Sequence, residues 1–348
     1  MNTSRIALLL ALGVFCVAFA GTGLVRSYSL RKGVMDNPNH RSSHSVPTPR
    51  GGGAAIVFAF LCGLLSLQFL LGFDAFITVL MVAAGLVAVV GFVDDHQHVP
   101  ARVRLAVHAV SAAGVVLAVP GAVLLDLGLP SIFPVGGWWL CVVVVGVVWL
   151  LNLTNFMDGI DGLAGIQTCT AAGLVALFGA WSGQSPQFIW PSLFLAMAAL
   201  GFLFWNFPPA KIFMGDVGSG TLGLVFGALA WWHASVESKW LYVWLILLGV
   251  FVVDATYTLL RRAARREQLS QPHRTHAFQL ATQRLKSHRR VSLSVLAIIV
   301  CWLAPWAALV AFSGLNGMLS LLLAYSPLLA LAIYLGAGRA EPSQTNQP

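Results

Sequence analysis

The stretch VVVVGVVWLLNLTNFMDGIDGLAGIQTCTAAGLVALFGAW, residues 142–181, decides the fold. Two uncharged apolar runs, each close to the ~20 residues that a helix needs to cross a bilayer, are parted only by the polar segment Asn152 to Asp161. Working outward, comparable runs centre near residues 15, 61, 84, 113, 144, 173, 197, 227, 250, 302 and 326, which predicts eleven spans. Composition agrees: 58% of the 348 residues are hydrophobic and only 9% are charged, against ~25% charged in ordinary globular chains. A core of soluble size cannot hide that excess, so it must face lipid. A water-soluble enzyme, a disordered chain and a free nucleic-acid binder are thereby excluded. The five cysteines (Cys16, Cys62, Cys141, Cys169 and Cys301) all lie in apolar runs and form no CxxC pair, so they point to neither a redox site nor a metal site.

Charge sets the expected orientation. The chain is basic, with 20 Lys+Arg against 12 Asp+Glu. The first apolar run is followed by Arg26, Arg31 and Lys32 but preceded only by Arg5, which predicts an uncleaved span with its N-terminus outside rather than a signal peptide. With eleven spans, 18 of the 20 basic residues then fall on the cytoplasmic side, leaving Arg5 and Lys239 outside. The expected architecture is therefore all-α and polytopic. One multi-span domain covers residues 1–338, with a short polar tail at 339–348.

The same cytoplasmic segments hold nearly all the unusual polar residues. They are DNPNHRSSHSVPTPRGGG (36–53), VDDHQHVPARVR (93–104), NLTNFMDGIDGLAG (152–165), WNFPPAKIFMGDVGSG (205–220) and PHRTHAFQ (272–279). Asp94, Asp95, Asp158, Asp161 and Asp216 would repel one another if gathered in one site. A hard divalent cation offsets that, and Mg²⁺ in particular favours one or two carboxylates plus substrate phosphates. Glycines flanking Asp216, and Gly51 to Gly53, let backbone approach a ligand. Arg50, Arg102, Arg104, Lys211, His273, Arg274 and His276 are donors suited to phosphate. Acids, cations and glycines on one membrane face describe a diphosphate site with a lipidic partner.

Taken together, VDD, NLTNFMDGIDGLAG and PPAKIFMGDVGS resemble the polyprenyl-phosphate N-acetylhexosamine-1-phosphate transferases over roughly residues 30 to 290. The first loop and HRTHAFQ are most similar to the branch that starts lipopolysaccharide O-antigen chains. The resemblance implies a bacterial inner-membrane enzyme. It would move a sugar-1-phosphate from a UDP-N-acetylhexosamine to undecaprenyl phosphate, releasing UMP, with Mg²⁺ as cofactor and Mn²⁺ as a substitute. It also implies roles. Asp216 and Asn155 hold the metal, and Asp94, Asp95 and Asp158 are catalytic, the acidic pair serving the lipid phosphate. Asn152, Asp161, Asn206, Lys211, Phe213, His273, Arg274 and His276 serve the nucleotide and sugar. His44, Arg50 and Arg102 contact phosphate. His108 replaces a common Gln, and His273-Arg274-Thr275-His276 replaces the triple histidine of the pentapeptide transferase, which argues against a peptide-bearing substrate.

A phosphomonoester has a second pKa near ~6, so the acceptor is already largely dianionic at cytoplasmic pH. Alignment and charge neutralisation then carry catalysis. A covalent aspartyl-phosphate on Asp158 or Asp95 is the competing route. Competing functions are a UDP-GlcNAc-specific relative serving a wall polymer, a flippase for lipid-linked sugar, and a non-catalytic lipid-binding scaffold. Expected partners are the two substrates, membrane lipids and a second copy of the chain, with no nucleic acid.

Overall fold

The computed structural model describes residues 3–38, 46–97, 99–119, 138–268 and 273–340. His44, His98 and most of the expected tail lie outside these residues. The described chain is almost entirely helical: α1 (Thr3–Lys32), α2 (Gly53–Leu71), α3 (Ala75–His96), α4 (Ala101–Leu117), α5 (Trp138–Met157), α6 (Leu163–Trp181), α7 (Pro186–Asn206), α8 (Asp216–Val236), α9 (Lys239–Leu247), α10 (Gly249–Ala264), α11 (Ala277–Leu285), α12 (His288–Ile298), α13 (Ala304–Ser313) and α14 (Gly317–Leu335). A two-residue pairing of β1 (Met35–Asp36) with antiparallel β2 (Thr48–Pro49) closes the loop before α2.

Local chemistry explains several boundaries. Asp74, Ser185, Ser287 and Asn316 each accept a hydrogen bond from a backbone N–H in the first turn of the following helix, satisfying donors that the helix cannot. Pro186 sits at the start of α7, where its missing N–H costs nothing. A π-helical turn, Ile299–Leu303, joins α12 to α13 just before Pro305, where a regular ladder would lose a donor.

Among the described residues eight helices, with α12 to α13 counted as one, are long and apolar enough to cross a membrane, and α9 with α10, bent by 73°, forms a ninth if counted as one. The expected centres near 113 and 227 fall on α4 and α8, which are not among them. α4 has only 17 residues, and α8 begins on Asp216 and is glycine-rich. Nearly all of α8 is buried, including Phe226 and Trp231, and it packs against α2, α3, α4, α5, α7 and α9. Glycine makes that centrality physically allowed, since a methyl group at Gly223 would overlap the Leu151 backbone of α5. The outer faces show Leu8, Phe58, Phe69, Val82, Val89 and Leu322, an apolar exposure that suits lipid and not water.

Candidate active site

The acids meet where α3 ends and α8 begins. Asp95, on the last turn of α3, has a side chain with no solvent exposure. Its carboxylate accepts from the N–H groups of Asp216 at 3.0 Å and Val217 at 3.3 Å, and pairs with Arg50. It therefore caps α8 from another helix, and the positive end of the α8 dipole favours the anion. Gly215, with φ 77°, makes the junction: a Cβ there would stand 2.5 Å from Asp95 Oδ2, so the turn requires glycine. Asp94 accepts from Val99 N–H at 2.7 Å and pairs with Arg104.

Asp216 is bracketed from two sides. Asn155 Nδ2 donates to its Oδ1 at 2.9 Å and to Ser219 Oγ at 2.8 Å, while Arg104 approaches its Oδ2 at 3.5 Å. Asp158 stands just beyond α5. Burial, followed by the charges of Asp216 and Asp95, pushes its carboxyl well above the usual carboxylate range. Burial alone would lower the Arg50 guanidinium, but the charges of Asp95 and Asp216 win and hold it more firmly protonated. Four carboxylates thus face two guanidiniums, Arg50 and Arg104, which leaves a net negative centre.

Two cavities share Asn155, Asp216 and Gln279 in their walls. The first, about 260 Å³ and polar, is lined among others by Arg50, Asp158, Asp161, Asn206, Phe213 and His288. The second, about 480 Å³, mixes polar side chains (Arg104, His108, Asn152, His273, His276) with Val87, Val90, Leu105, Leu151 and Phe156. His273 is lowered to about 3 by burial and then by His276 and Arg262, so it is neutral near pH 7. His276, almost fully buried, stacks on Phe156 and lies 3.4 Å from Asp254 of α10. Asp254 also accepts from Ala277 N–H (2.8 Å) and Phe278 N–H (3.0 Å), which pins the start of α11 beside both cavities.

The sequence-derived set divides accordingly. Asn155, Asp158, Asp216 and Arg50 come together in the cavity walls, and Asp94 and Asp95, which line neither cavity, are joined to them through Arg104, Arg50 and the Asp216 N–H. Asp161 and Phe213 line the polar cavity, whereas Asn152, His273 and His276 line the mixed one. Asn206 lines the polar cavity, yet its amide already accepts from Gly162 N–H at 2.9 Å and donates to Ile212 C=O at 2.9 Å, so it braces two loops. Lys211 is exposed, over the Trp205 ring. Arg102 and Arg274 are exposed and are not among the lining residues of either cavity. The basic side chain that reaches Asp94 and Asp216 is Arg104. Arg104 was among the phosphate donors expected from sequence, whereas Gln279, Ser219 and His288 were assigned no role; the last lines the polar cavity and pairs with Asp161.

Among the described residues no group of three His, Cys, Asp or Glu forms a ready-made metal cage. The donor set fits Mg²⁺ nonetheless, because that ion takes one or two carboxylates and completes its shell with water and phosphate oxygens. The gathering of Asp94, Asp95, Asp158 and Asp216 in one place, where burial and then the charges of Asp216 and Asp95 raise Asp158, is the observation behind that fit.

Comparisons with known proteins point the same way. Residues 77–234 match the family described as Glycosyl transferase family 4. The chain is 30% identical to the probable undecaprenyl-phosphate N-acetylglucosaminyl 1-phosphate transferase of Bacillus subtilis, over 80% of this chain and 76% of the relative. It is 30% identical to the decaprenyl-phosphate N-acetylglucosaminephosphotransferase of Mycolicibacterium smegmatis, covering 88% and 80%. A third relative, 30% identical over 60% and 58%, is the undecaprenyl-phosphate alpha-N-acetylglucosaminyl 1-phosphate transferase of Yersinia pestis.

Proposed function

Because the chain belongs to glycosyl transferase family 4, the polyprenyl-phosphate sugar-phosphate transferases, we propose that it transfers an N-acetylhexosamine-1-phosphate from a UDP-sugar to undecaprenyl phosphate. UMP leaves, and the product starts an O-antigen or related cell-envelope glycan. The observation that carries this reading is the convergence of Asp94, Asp95, Asn155, Asp158 and Asp216 with Arg50 and Arg104 at the wall between a polar and a partly apolar cavity.

The polar cavity suits the nucleotide sugar, and the mixed cavity suits the phosphate and first isoprene units of the acceptor. Mg²⁺, held by Asp216 with Asn155, would supply charge neutralisation at the diphosphate. Arg104, tied to Asp94 and near Asp216, orients the incoming phosphate, and Arg50 steadies the donor from the opposite side. The acceptor oxygen attacks the donor phosphorus next to the sugar, the bond from that phosphorus to the oxygen bridging the two phosphates breaks, and UMP carries the electron pair away. The acceptor dianion needs no general base, so the acids act by position and charge.

Eleven crossings with the N-terminus outside would put this site on the cytoplasmic face of the bacterial inner membrane, where the UDP-sugar is found; the distribution of basic residues supports that orientation. A flippase is not favoured, because its ionisable residues would sit at the bilayer midplane between repeated halves, whereas here they gather at helix ends. The test is UMP release by the purified protein with undecaprenyl phosphate and a panel of UDP-N-acetylhexosamines, with and without EDTA. Release that needs acceptor, donor and Mg²⁺ is expected. Lipid-linked sugar movement without UMP release would refute the reading.

A further inference from the structure

The mixed cavity is layered, because α3, α4, α5 and α8 all bring helix ends to it. Its outer layer holds Arg104, Asn155 and Asp216, with Asp94 paired to Arg104. One turn further into the helices, about 6 Å for four residues, the wall is made by Val90 of α3, His108 of α4, Leu151 of α5 and Gly220 of α8. His108 is thus the polar member of an otherwise apolar layer, on the same face of α4 as Arg104, four residues before it. Asn152, beside Leu151, already gives its amide N–H to Val148 C=O at 2.7 Å. Neither ring nitrogen of His108 has a hydrogen-bond partner among the described residues, and Nδ1 is sealed from solvent as well. A sealed N–H without an acceptor is rarer than a sealed acceptor without a donor, so the neutral ring carries its proton on Nε2. That nitrogen is left to meet whatever fills the cavity.

We propose that His108 is an acceptor-binding residue: its Nε2–H donates to a phosphate oxygen of the polyprenyl phosphate, on the side nearest the first isoprene unit, while Arg104 holds the same phosphate from the outer layer. This rests on the transferase reading above and deepens it, because it names the group that sets how far the lipid enters. The head of the acceptor is a dianion joined directly to hydrocarbon. A single donor at the boundary between a charged layer and an apolar one matches that junction, and it leaves the outward phosphate oxygen to face the donor phosphorus.

The test measures KM for undecaprenyl phosphate and KM for the UDP-sugar separately, by UMP release from the purified full-length protein in detergent at pH 8, where an ordinary histidine is neutral. His108→Leu keeps bulk and removes the donor. It should raise the acceptor KM at least about tenfold and leave the UDP-sugar KM within about twofold of wild type. Its melting temperature without acceptor should be equal or higher, because no orphaned nitrogen remains. His108→Gln, whose amide can donate from the same position, should bring the acceptor KM back to within about threefold of wild type. An unchanged acceptor KM in His108→Leu, an equal rise in both KM values, or a Gln variant no better than the Leu variant would overturn the assignment while the transferase reading stands. A wild type that releases no UMP would refute both.

Discussion

Replacing Asp95 by Asn should separate structure from charge at the centre of the site. The wild-type carboxylate makes three contacts at once: to Arg50 and to the N–H groups of Asp216 and Val217. An asparagine of the same shape keeps one acceptor oxygen, so it retains one N–H, loses the other and turns an ion pair into a weak neutral contact. Hydrogen bonds to charged groups are worth ~1.5–3 kcal/mol each, and stranding one partner of a buried pair costs ~3–5 kcal/mol. Arg50 keeps 29% of its side chain exposed, so water recovers part of that. The net loss should be about 2–4 kcal/mol, divided between stability and rate. Expressed wholly in the rate, it is roughly 30- to 900-fold. UMP release and thermal unfolding measured on the same preparation give the division. Adding Arg50→Gln should cost less than the sum of the two single changes, because the stranded guanidinium is gone. Activity within about threefold of wild type and an unchanged melting temperature would refute the bridging role; additive losses would refute the coupling.

Four further outcomes follow from the same geometry. Arg104→Ala should lower activity more than about tenfold, by losing charge-assisted bonds of ~1.5–3 kcal/mol, whereas exposed Arg102→Ala should stay within about threefold; steady-state UMP release compares them. Asp216→Asn should lose at least about 100-fold in rate with little change in melting temperature, and EDTA should abolish wild-type activity that added Mg²⁺ restores. Asp158 is held above its unfolded value of ~3.9, so its stability contribution is complete below that pH and is lost as pH rises through the folded value. The ligand-free protein should therefore melt at lower temperature as pH increases from about 4, and Asp158→Asn should flatten that slope. Asn206→Ala leaves Gly162 N–H and Ile212 C=O without their buried partner and should cost about 2–4 kcal/mol of stability, read by thermal unfolding.

Much of the site was legible because its motifs sit at helix ends, where sequence punctuation is strong. Asp94-Asp95, Asn155 to Asp158 and Gly215-Asp216 were each visible as polar breaks in apolar runs, and they converge. Helical phase was harder to read: Arg102 and Arg104 lie about 200° apart around α4, and only packing decides which one faces Asp216. Asn152 and Asn155 fall in one motif, yet only Asn155 reaches both cavities. His288 had no local signal, since its partner Asp161 stands far away along the chain. Asn206 carries a motif-like position, but its amide is spent within the fold. The spans near 113 and 227 show how composition blurs a boundary, as α4 is short and α8 trades apolar bulk for glycine.

The Asp254 bracket has a consequence for how such a transferase diversifies. Both N–H groups at the start of α11 are satisfied by one carboxylate on a neighbouring helix, so the connection carrying His273 to His276 is anchored through its backbone. Side chains ahead of that anchor can be exchanged without unmooring Gln279, which follows it. The lining that His273 and His276 give the mixed cavity is therefore open to replacement, while Gly215, crowded against Asp95, tolerates no such traffic.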